Sequence, residues 1–393
     1  MAPARVHWDL AVVGAGPAGA ATALGALHAD PDLRVVLLDR ADFPRDKACG
    51  DGVAPHVLDL LAEVGVTGLV DDRVPVDRLR LGRGGLTVER RTARPAWVVP
   101  RRVLDARLVD AAVAAGARLL RHRVRDLRRY ADAVVLDGEV SAAVVVGADG
   151  AHSAVRRALG RPRGPMALAL RGYAPVAPGR RGAQVIEFGT RYQPSYAWSF
   201  DRGDGHANVG YGEFLHEGRP APSRARLLER LEALLPGATE GGRHWMGHHL
   251  PLSTARRCPP SGRVLLVGDA AGMVNPLTGE GIHHAVATGI AAGRAAAAAL
   301  RDGRPERAGE RHARATRRIL QAHLRHTALA ARLARSARVV EAGLRAAAAD
   351  QRVFDDLVEL GLARGRLTPT VALGLGRALL VPTHPTGRPR EPA

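Results

Sequence analysis

A glycine triplet, Gly14-x-Gly16-x-x-Gly19, stands between the apolar run DLAVV (9–13) and the small-residue run AATALGALHA (20–29). An acid, Asp39, closes the next apolar run, RVVLLDR (34–40). Glycine triplets arise by chance in a chain with 45 glycines. A strand before, a helix after and an acid at the end of the second strand make this one a dinucleotide fingerprint. Gly14 permits the tight turn, Gly16 lets the backbone approach a pyrophosphate, and Gly19 lets helix and strand pack closely. The helix start, Pro17-Ala18, offers free N–H groups and a positive dipole end to phosphates. Asp39, followed by Arg40, is placed to accept hydrogen bonds from ribose hydroxyls.

A second segment, VLLVGDAAGMVNPLTGEGI (264–282), chooses between NAD and FAD. A buried strand delivers Gly268-Asp269, and Asp269 is suited to a ribityl hydroxyl. PLTGEG, with Pro276, Gly279, Gly281 and Ile282, then opens a long helix. The positive end of that helix is expected to face a flavin and favour its reduced, anionic form. A third segment, VVVGADGAHSAVRRALG (144–160), sets Asp149-Gly150 between a strand and a helix carrying Ser153 and Arg156. The cofactor these pieces imply is FAD, with Val124 included among its contacts.

The loop DKACGDG (46–52) holds Lys47, the only lysine among 57 basic side chains. Gly50 and Gly52 allow close backbone approach to a cofactor. A compact ammonium could neutralise a flavin anion where arginine's fork would be bulkier; alternatively Lys47 pairs with Asp46 or Asp51. Cys49 reads either as small packing beside the cofactor or as a thiol of lowered pKa able to deliver a proton. Tyr196, Trp198 and Phe200 alternate in PSYAWSF, so on a strand they share one face. That face is either sheet core or the wall of an apolar substrate channel.

These residues need a scaffold. Residues 9–39 read as a βαβ unit, and residues 73–99 as a hairpin around Gly84-Gly85. RRVLDARLVDAAVAAGARLL is an amphipathic helix, and residues 165–255 are strand-rich. Residues 282–349 are helical and rich in alanine and arginine. The expected fold is α/β: a Rossmann-type FAD-binding domain, a mixed β-sheet substrate domain and a C-terminal helical region. The FAD-binding domain draws on 1–72, 100–164 and 260–300. The substrate domain takes the 73–99 hairpin and 165–259, and the helical region is 301–393.

The composition excludes several classes. At 393 residues the chain can bury a large core. Its net charge of +18 is dispersed, aromatics are 4%, and no nucleic-acid motif appears, so nucleic acid is not expected as a partner. The charge instead suits acidic partners or anionic headgroups. Two cysteines, Cys49 and Cys258, form no disulfide framework and fit a cytoplasmic protein. Neither a signal peptide nor an apolar run long enough to span a bilayer is expected. His248-His249 and His283-His284 lack companions at ligand spacing, and no metal site is expected.

Taken together, the glycine triplet, Asp149-Gly150 and Gly268-Asp269 resemble the FAD-dependent oxidoreductases of the p-hydroxybenzoate hydroxylase fold. Arg101, Leu104 and Leu108 match that group's R-x-x-L-x-x-x-L helix, which implies that Arg101 contacts FAD. Within the group, PRDKACGDG and PSYAWSF are similar to the geranylgeranyl reductase family, with Asp201 where that family has proline. ANVGYG (207–212) looks like the family's next strand.

The resemblance implies reduction of an isoprenoid carbon–carbon double bond in a hydrophobic lipid or quinone substrate. The site must then be dry, hold the double bond flat and supply one proton. Cys49, Tyr196 and a water on the CGDG loop are the candidate donors, with Lys47 and Trp198 beside them and Tyr196, Trp198 and Phe200 lining the substrate. Two alternatives stand: a monooxygenase on the same fold, and a prenyl-lipid carrier without catalysis. A halogenase is disfavoured because YAWSFD replaces its Trp-x-Trp-x-Ile-Pro signature. The single fingerprint is taken by FAD, so electrons come from transiently docked NADPH or from an acidic ferredoxin or flavodoxin. Arg311, Arg318, Arg325 and Arg332 recur every seven residues and offer a docking stripe, for such a protein or for peripheral contact with a membrane.

Overall fold

The computed structural model describes residues 7–190, 193–216, 218–254 and 262–380. Cys258 and the Pro-rich tail lie outside the described residues. Along the chain, β1 (His7–Val13), α1 (Pro17–Ala29) and β2 (Val35–Asp39) form the opening βαβ unit. The cysteine loop leads to β3 (Gly52–Val53), α2 (Pro55–Ala62) and the hairpin β4 (Pro75–Arg83) and β5 (Leu86–Val98). Next come α3 (Arg101–Ala114), β6 (Arg118–Arg121), β7 (Leu127–Arg129), β8 (Val134–Leu136), β9 (Val140–Gly147) and the short α4 (Ala154–Ala158). The middle of the chain supplies β10 (Met166–Pro175), β11 (Ala183–Phe188), β12 (Ser195–Asp201), β13 (His206–Phe214), α5 (Arg224–Leu234) and β14 (Arg243–Pro251). After β15 (Val264–Leu266), the rest is helical: α6 (Ile282–Arg301), α7 (Ala308–Leu333), α8 (Ala337–Ala349), α9 (Gln351–Leu362) and α10 (Pro369–Leu380).

Two sheets result. The first runs β6-β2-β1-β9-β8-β7, with β15 pairing parallel to the C-terminal half of β9. Strands β6, β2, β1, β9 and β15 are mutually parallel, and β2, β15 and the buried parts of β1 and β9 are apolar on both faces, as a sheet covered on both sides requires. Leu10 and Val12 point into a core shared with α1, α3 and α6, while Ala11 and Val13 meet Val134, Leu136 and Ala270 on the other face. Burying Leu10 or Leu37 contributes about 1.5–3 kcal/mol each.

Helices α1 and α6 approach until backbone touches backbone. A Cβ on Gly293 would stand 2.1 Å from the Thr22 carbonyl oxygen, and one on Gly289 2.4 Å from that of Ala18. The small-residue runs in both helices are what this crossing demands.

The second sheet runs β14-β10-β13-β12-β11-β4-β5-β3, antiparallel except where β11 meets β4. Gly52–Val53, placed by sequence with the FAD-binding segments, pairs with β5 in this second sheet. One face packs on α5. Leu79 and Val88 of the hairpin pack instead on Leu344 and Ala347 of α8 and Phe354 of α9, so the C-terminal helices roof the other face.

Candidate active site

The βαβ unit builds one end of the site. Gly14 has φ +98°, and a Cβ there would lie 2.5 Å from the Ala148 carbonyl oxygen; only glycine fits. A Cβ on Gly19 would stand 1.8 Å from the Gly14 carbonyl oxygen, so Gly19 serves helix–strand packing. At Gly16 the nearest groups are guanidinium nitrogens, Arg45 at 3.4 Å and Arg101 at 3.7 Å from a built Cβ. Asp105 holds both arginines: Arg101 donates to it at 2.6 and 2.8 Å, and Arg45 at 2.9 Å. Asp39 accepts from the backbone N–H groups of Ala15 and Ala41, which fixes its carboxylate at the end of β2. The result is a bare backbone flanked by two cations and one acid, a fit for pyrophosphate and ribose.

At the other end, the turn after β15 presents Asp269. Lys47 Nζ lies 3.2 Å from Asp269 Oδ2. Asp46 and Asp51, the partners considered from sequence, are engaged elsewhere. Asp46 accepts from Arg171 at 2.6 Å, and Asp51 accepts from the Tyr173 hydroxyl at 2.6 Å and from Asn208 at 2.8 Å. Burial works to raise the Asp269 carboxyl, but the charge and hydrogen bond of the Lys47 ammonium outweigh it and hold it below the usual carboxylate value. Burial and the nearby Lys47 charge push His248 down to about 3, so its imidazole is neutral. Asp149 does not reach this group; it caps α4 by accepting from Ala154 and Val155 N–H. Arg156 donates to the carbonyls of Ala270 and Ala151, tying α4 to the Asp269 turn.

The CGDG loop is pinned from the second sheet. Asn208, fully buried on β13, donates to the Cys49 carbonyl and to Asp51 at 2.8 Å each, and accepts from the Trp198 indole N–H at 2.8 Å. Asp51 sits at φ +60° and is fully buried. Burial raises its carboxyl to about 6, against the two hydrogen bonds that favour the ionised form. Cys49 does not have the lowered thiol pKa considered from sequence. Burial raises it, and the Arg101 guanidinium only partly opposes that. The thiol is neutral.

The aromatic stripe is as the alternation implies. Tyr196 and Trp198 have ring centroids 5.9 Å apart, Trp198 and Phe200 6.4 Å, and all three face the cavity. Two expected roles change. The Tyr196 hydroxyl donates to the Thr278 carbonyl, and burial raises its pKa, so it is a poor proton donor. Trp198 commits its N–H to Asn208, so it is a positioning residue and an apolar wall.

Sequence reasoning missed Glu280. Its carboxylate accepts from the His283 backbone N–H at 3.0 Å, so it covers the α6 N-terminus that was expected to face the flavin bare. Burial raises Glu280 to about 7. An acid opening a helix is a recognisable capping signal.

One cavity of about 1030 Å³ joins these groups. Gly14, Gly16, Pro17, Ala18, Asp39, Arg40, Arg101, Val124, Asp149 and Gly150 line its dinucleotide end. Lys47, Cys49, Gly50, Gly52, Asp269, Pro276, Gly279, Gly281 and Ile282 line its middle. Gly19 and Gly268 do not line it: Gly19 packs α1 on β1, and Gly268 donates its N–H to Thr288. Beyond the aromatic stripe the cavity continues between α8, α9 and α10 past Leu344, Leu357 and Leu375. Among the described residues no group of histidine, cysteine or acidic side chains could hold a metal ion.

A doubly wound sheet with this cradle, joined to a second sheet across a shared cavity, defines an FAD-binding oxidoreductase. The FAD binding domain family matches residues 7–188. Menaquinone reductase of Mycolicibacterium smegmatis is 36% identical over 308 residues, 72% of this chain and 74% of that protein. Digeranylgeranylglycerophospholipid reductase 1 of Methanopyrus kandleri is 33% identical over 322 residues, covering 76% and 82%. A geranylgeranyl bacteriochlorophyll reductase-like structure from Thermoplasma acidophilum superposes with a TM-score of 0.72 at 20% identity, over 95% of this chain and 96% of that one. The halogenase PltM in complex with FAD shares the fold, at a TM-score of 0.65 and 16% identity over 90% and 79%. The chain belongs to the geranylgeranyl reductase family of FAD-dependent oxidoreductases.

Proposed function

We propose that the protein reduces an isoprenoid carbon–carbon double bond in the tail of a prenylated quinone or lipid. The observation that carries this reading is the continuity of the cavity. It runs from the FAD cradle, past Tyr196, Trp198 and Phe200, into an apolar passage between the C-terminal helices. The names of the menaquinone and digeranylgeranylglycerophospholipid reductases support the same reading.

Gly14, Gly16, Arg45, Arg101 and Asp39 would hold the dinucleotide half of FAD, and Asp269 with the Gly279–Ile282 turn its other half. Bound FAD supplies a hydride equivalent. The chain must then orient the alkene, exclude water and provide one proton to the second carbon. The aromatic stripe gives a flat apolar wall for orientation. Two cavity groups hold a transferable proton near neutral pH, the Cys49 thiol and the Glu280 carboxyl. Glu280 is better matched to proton transfer because its pKa of about 7 lies near the working pH.

Anaerobic reduction of the FAD-loaded protein followed by mixing with a menaquinone or a digeranylgeranyl lipid tests the reading. Oxidation of the flavin with gain of two hydrogens in the prenyl tail is expected. Flavin that stays reduced with both substrates, yet oxidises with oxygen to give a hydroxylated product, would overturn it.

A further inference from the structure

The segment 311–340, spanning most of α7 and the start of α8, contains eight arginines and no acidic residue. Arg318, Arg325, Arg332, Arg335 and Arg338 are exposed, and among the described residues none has a carboxylate within ion-pair distance. Basic side chains elsewhere on the surface are commonly paired, as Arg94 is with Asp59 and Arg107 with Asp72. These five keep their charge unpaired, whereas Arg311 and Arg314 of the same segment pair with Asp302 and Glu310.

Apolar side chains stand among these arginines. Leu329 is 49% exposed and Leu333 41%. With Arg325 and Arg332 they occupy positions i, i+4, i+7 and i+8, one stripe of the helix. Leu333 also lines the cavity. On α10, which packs against α8, Leu375 lines the cavity while Leu373 is 63% and Leu380 85% exposed. Leu333, which lines the passage and is itself exposed, therefore brings the passage to a surface that carries exposed leucines and unpaired guanidinium groups.

We infer that this face, from the C-terminal half of α7 through the start of α8 to α10, docks on an anionic lipid surface. Guanidinium groups are weakly hydrated and bind phosphate in bidentate fashion, and the leucines can enter the interface between headgroups and chains. A charged protein partner would be served by the arginines alone. The leucines at the lip of a passage for an apolar tail favour a bilayer, from which such a tail would pass into the cavity without crossing water. The inference rests on the prenyl-lipid reading for its purpose, but vesicle binding is measured without turnover, so the two can fail separately.

The test is co-sedimentation of the FAD-loaded protein with vesicles of phosphatidylglycerol and phosphatidylcholine, or of phosphatidylcholine alone, near 0.1 M salt, where the Debye length is about 10 Å. Binding to the anionic vesicles and weak binding to the neutral ones is expected. The triple variant Arg332→Glu, Arg335→Glu, Arg338→Glu should lose on the order of a hundredfold in vesicle affinity. Leu329→Ser with Leu380→Ser should lose about tenfold. FAD content and melting temperature confirm that the variants fold. Equal binding to both vesicle types, or anionic binding that both variants retain, would overturn the inference. So would binding of an acidic ferredoxin that needs the three arginines while vesicles fail to bind.

Discussion

Lys47 and Asp269 stand 222 positions apart in the chain and 3.2 Å apart in the folded protein. The chain's only lysine thus neutralises the partly buried acid expected to hold the ribityl chain, and it does so from the loop that also carries Cys49. Removing one partner leaves the other as an uncompensated charge in a desolvated site.

Lys47→Met should therefore weaken FAD retention on the order of tenfold or more. The double variant Lys47→Met with Asp269→Asn should recover part of that loss. Equilibrium release of flavin, followed by its fluorescence, measures both. Strictly additive losses would mean that the two side chains do not act as a pair. Lys47→Arg should fall in between, since it keeps the charge and changes the shape.

Glu280 sets a pH limb. A step that needs its protonated carboxyl slows as pH rises through about 7. In wild type, kcat/KM should fall about tenfold per pH unit above that point, and Glu280→Gln should lower kcat by about 10²–10⁴ and flatten the limb. A Glu280→Gln profile that keeps the wild-type limb would show that Glu280 is not the group that sets it.

Asp51 costs stability at neutral pH. Its folded pKa of about 6 lies above the ordinary 3.8, so the folded state binds the extra proton. Stability falls as pH rises between these values, and the cost is fully present at pH 7. Asp51→Asn tolerates the left-handed backbone and keeps an oxygen for Tyr173 and Asn208. It should raise the melting point at pH 7.5, with a gain of about 1–3 kcal/mol that vanishes near pH 4. A gain that persists at pH 4 would show that the carboxylate is not its source.

Asn208→Ala removes three hydrogen bonds at once and strands the Trp198 N–H and the Cys49 carbonyl. A loss of about 1–3 kcal/mol is expected in denaturant melts, with weaker FAD binding as the loop loosens. Trp198→Phe removes one of the three hydrogen bonds together with part of the ring, and should cost less. The reverse order would mean that ring packing, not Asn208, holds the loop.

What the sequence makes legible here is what short-range geometry controls. Gly14, Gly16 and Asp39 belong to one local βαβ unit, and the period of two in Tyr196, Trp198 and Phe200 settles that they share one face. The choice of polar partners is tertiary. Nothing near Lys47 points to Asp269, and nothing near Asp51 points to Tyr173. Asn208 had a usable signal, an amide between the apolar Ala207 and Val209 of a strand, where burial obliges it to find partners. The C-terminal helices announce their helicity through alanine and arginine, but not that their apolar sides roof the β4–β5 hairpin.

The glycine crossing of α1 and α6 has a consequence for the cofactor. The start of α1 carries the Gly14–Gly19 turn, and the start of α6 carries Glu280 and Ile282. Because Gly289 and Gly293 leave no room for even a methyl group against the α1 backbone, the two helices work as the arms of a caliper with a fixed jaw width. A cofactor held at both helix starts would meet a width fixed at Gly289 and Gly293, neither of which lines the cavity.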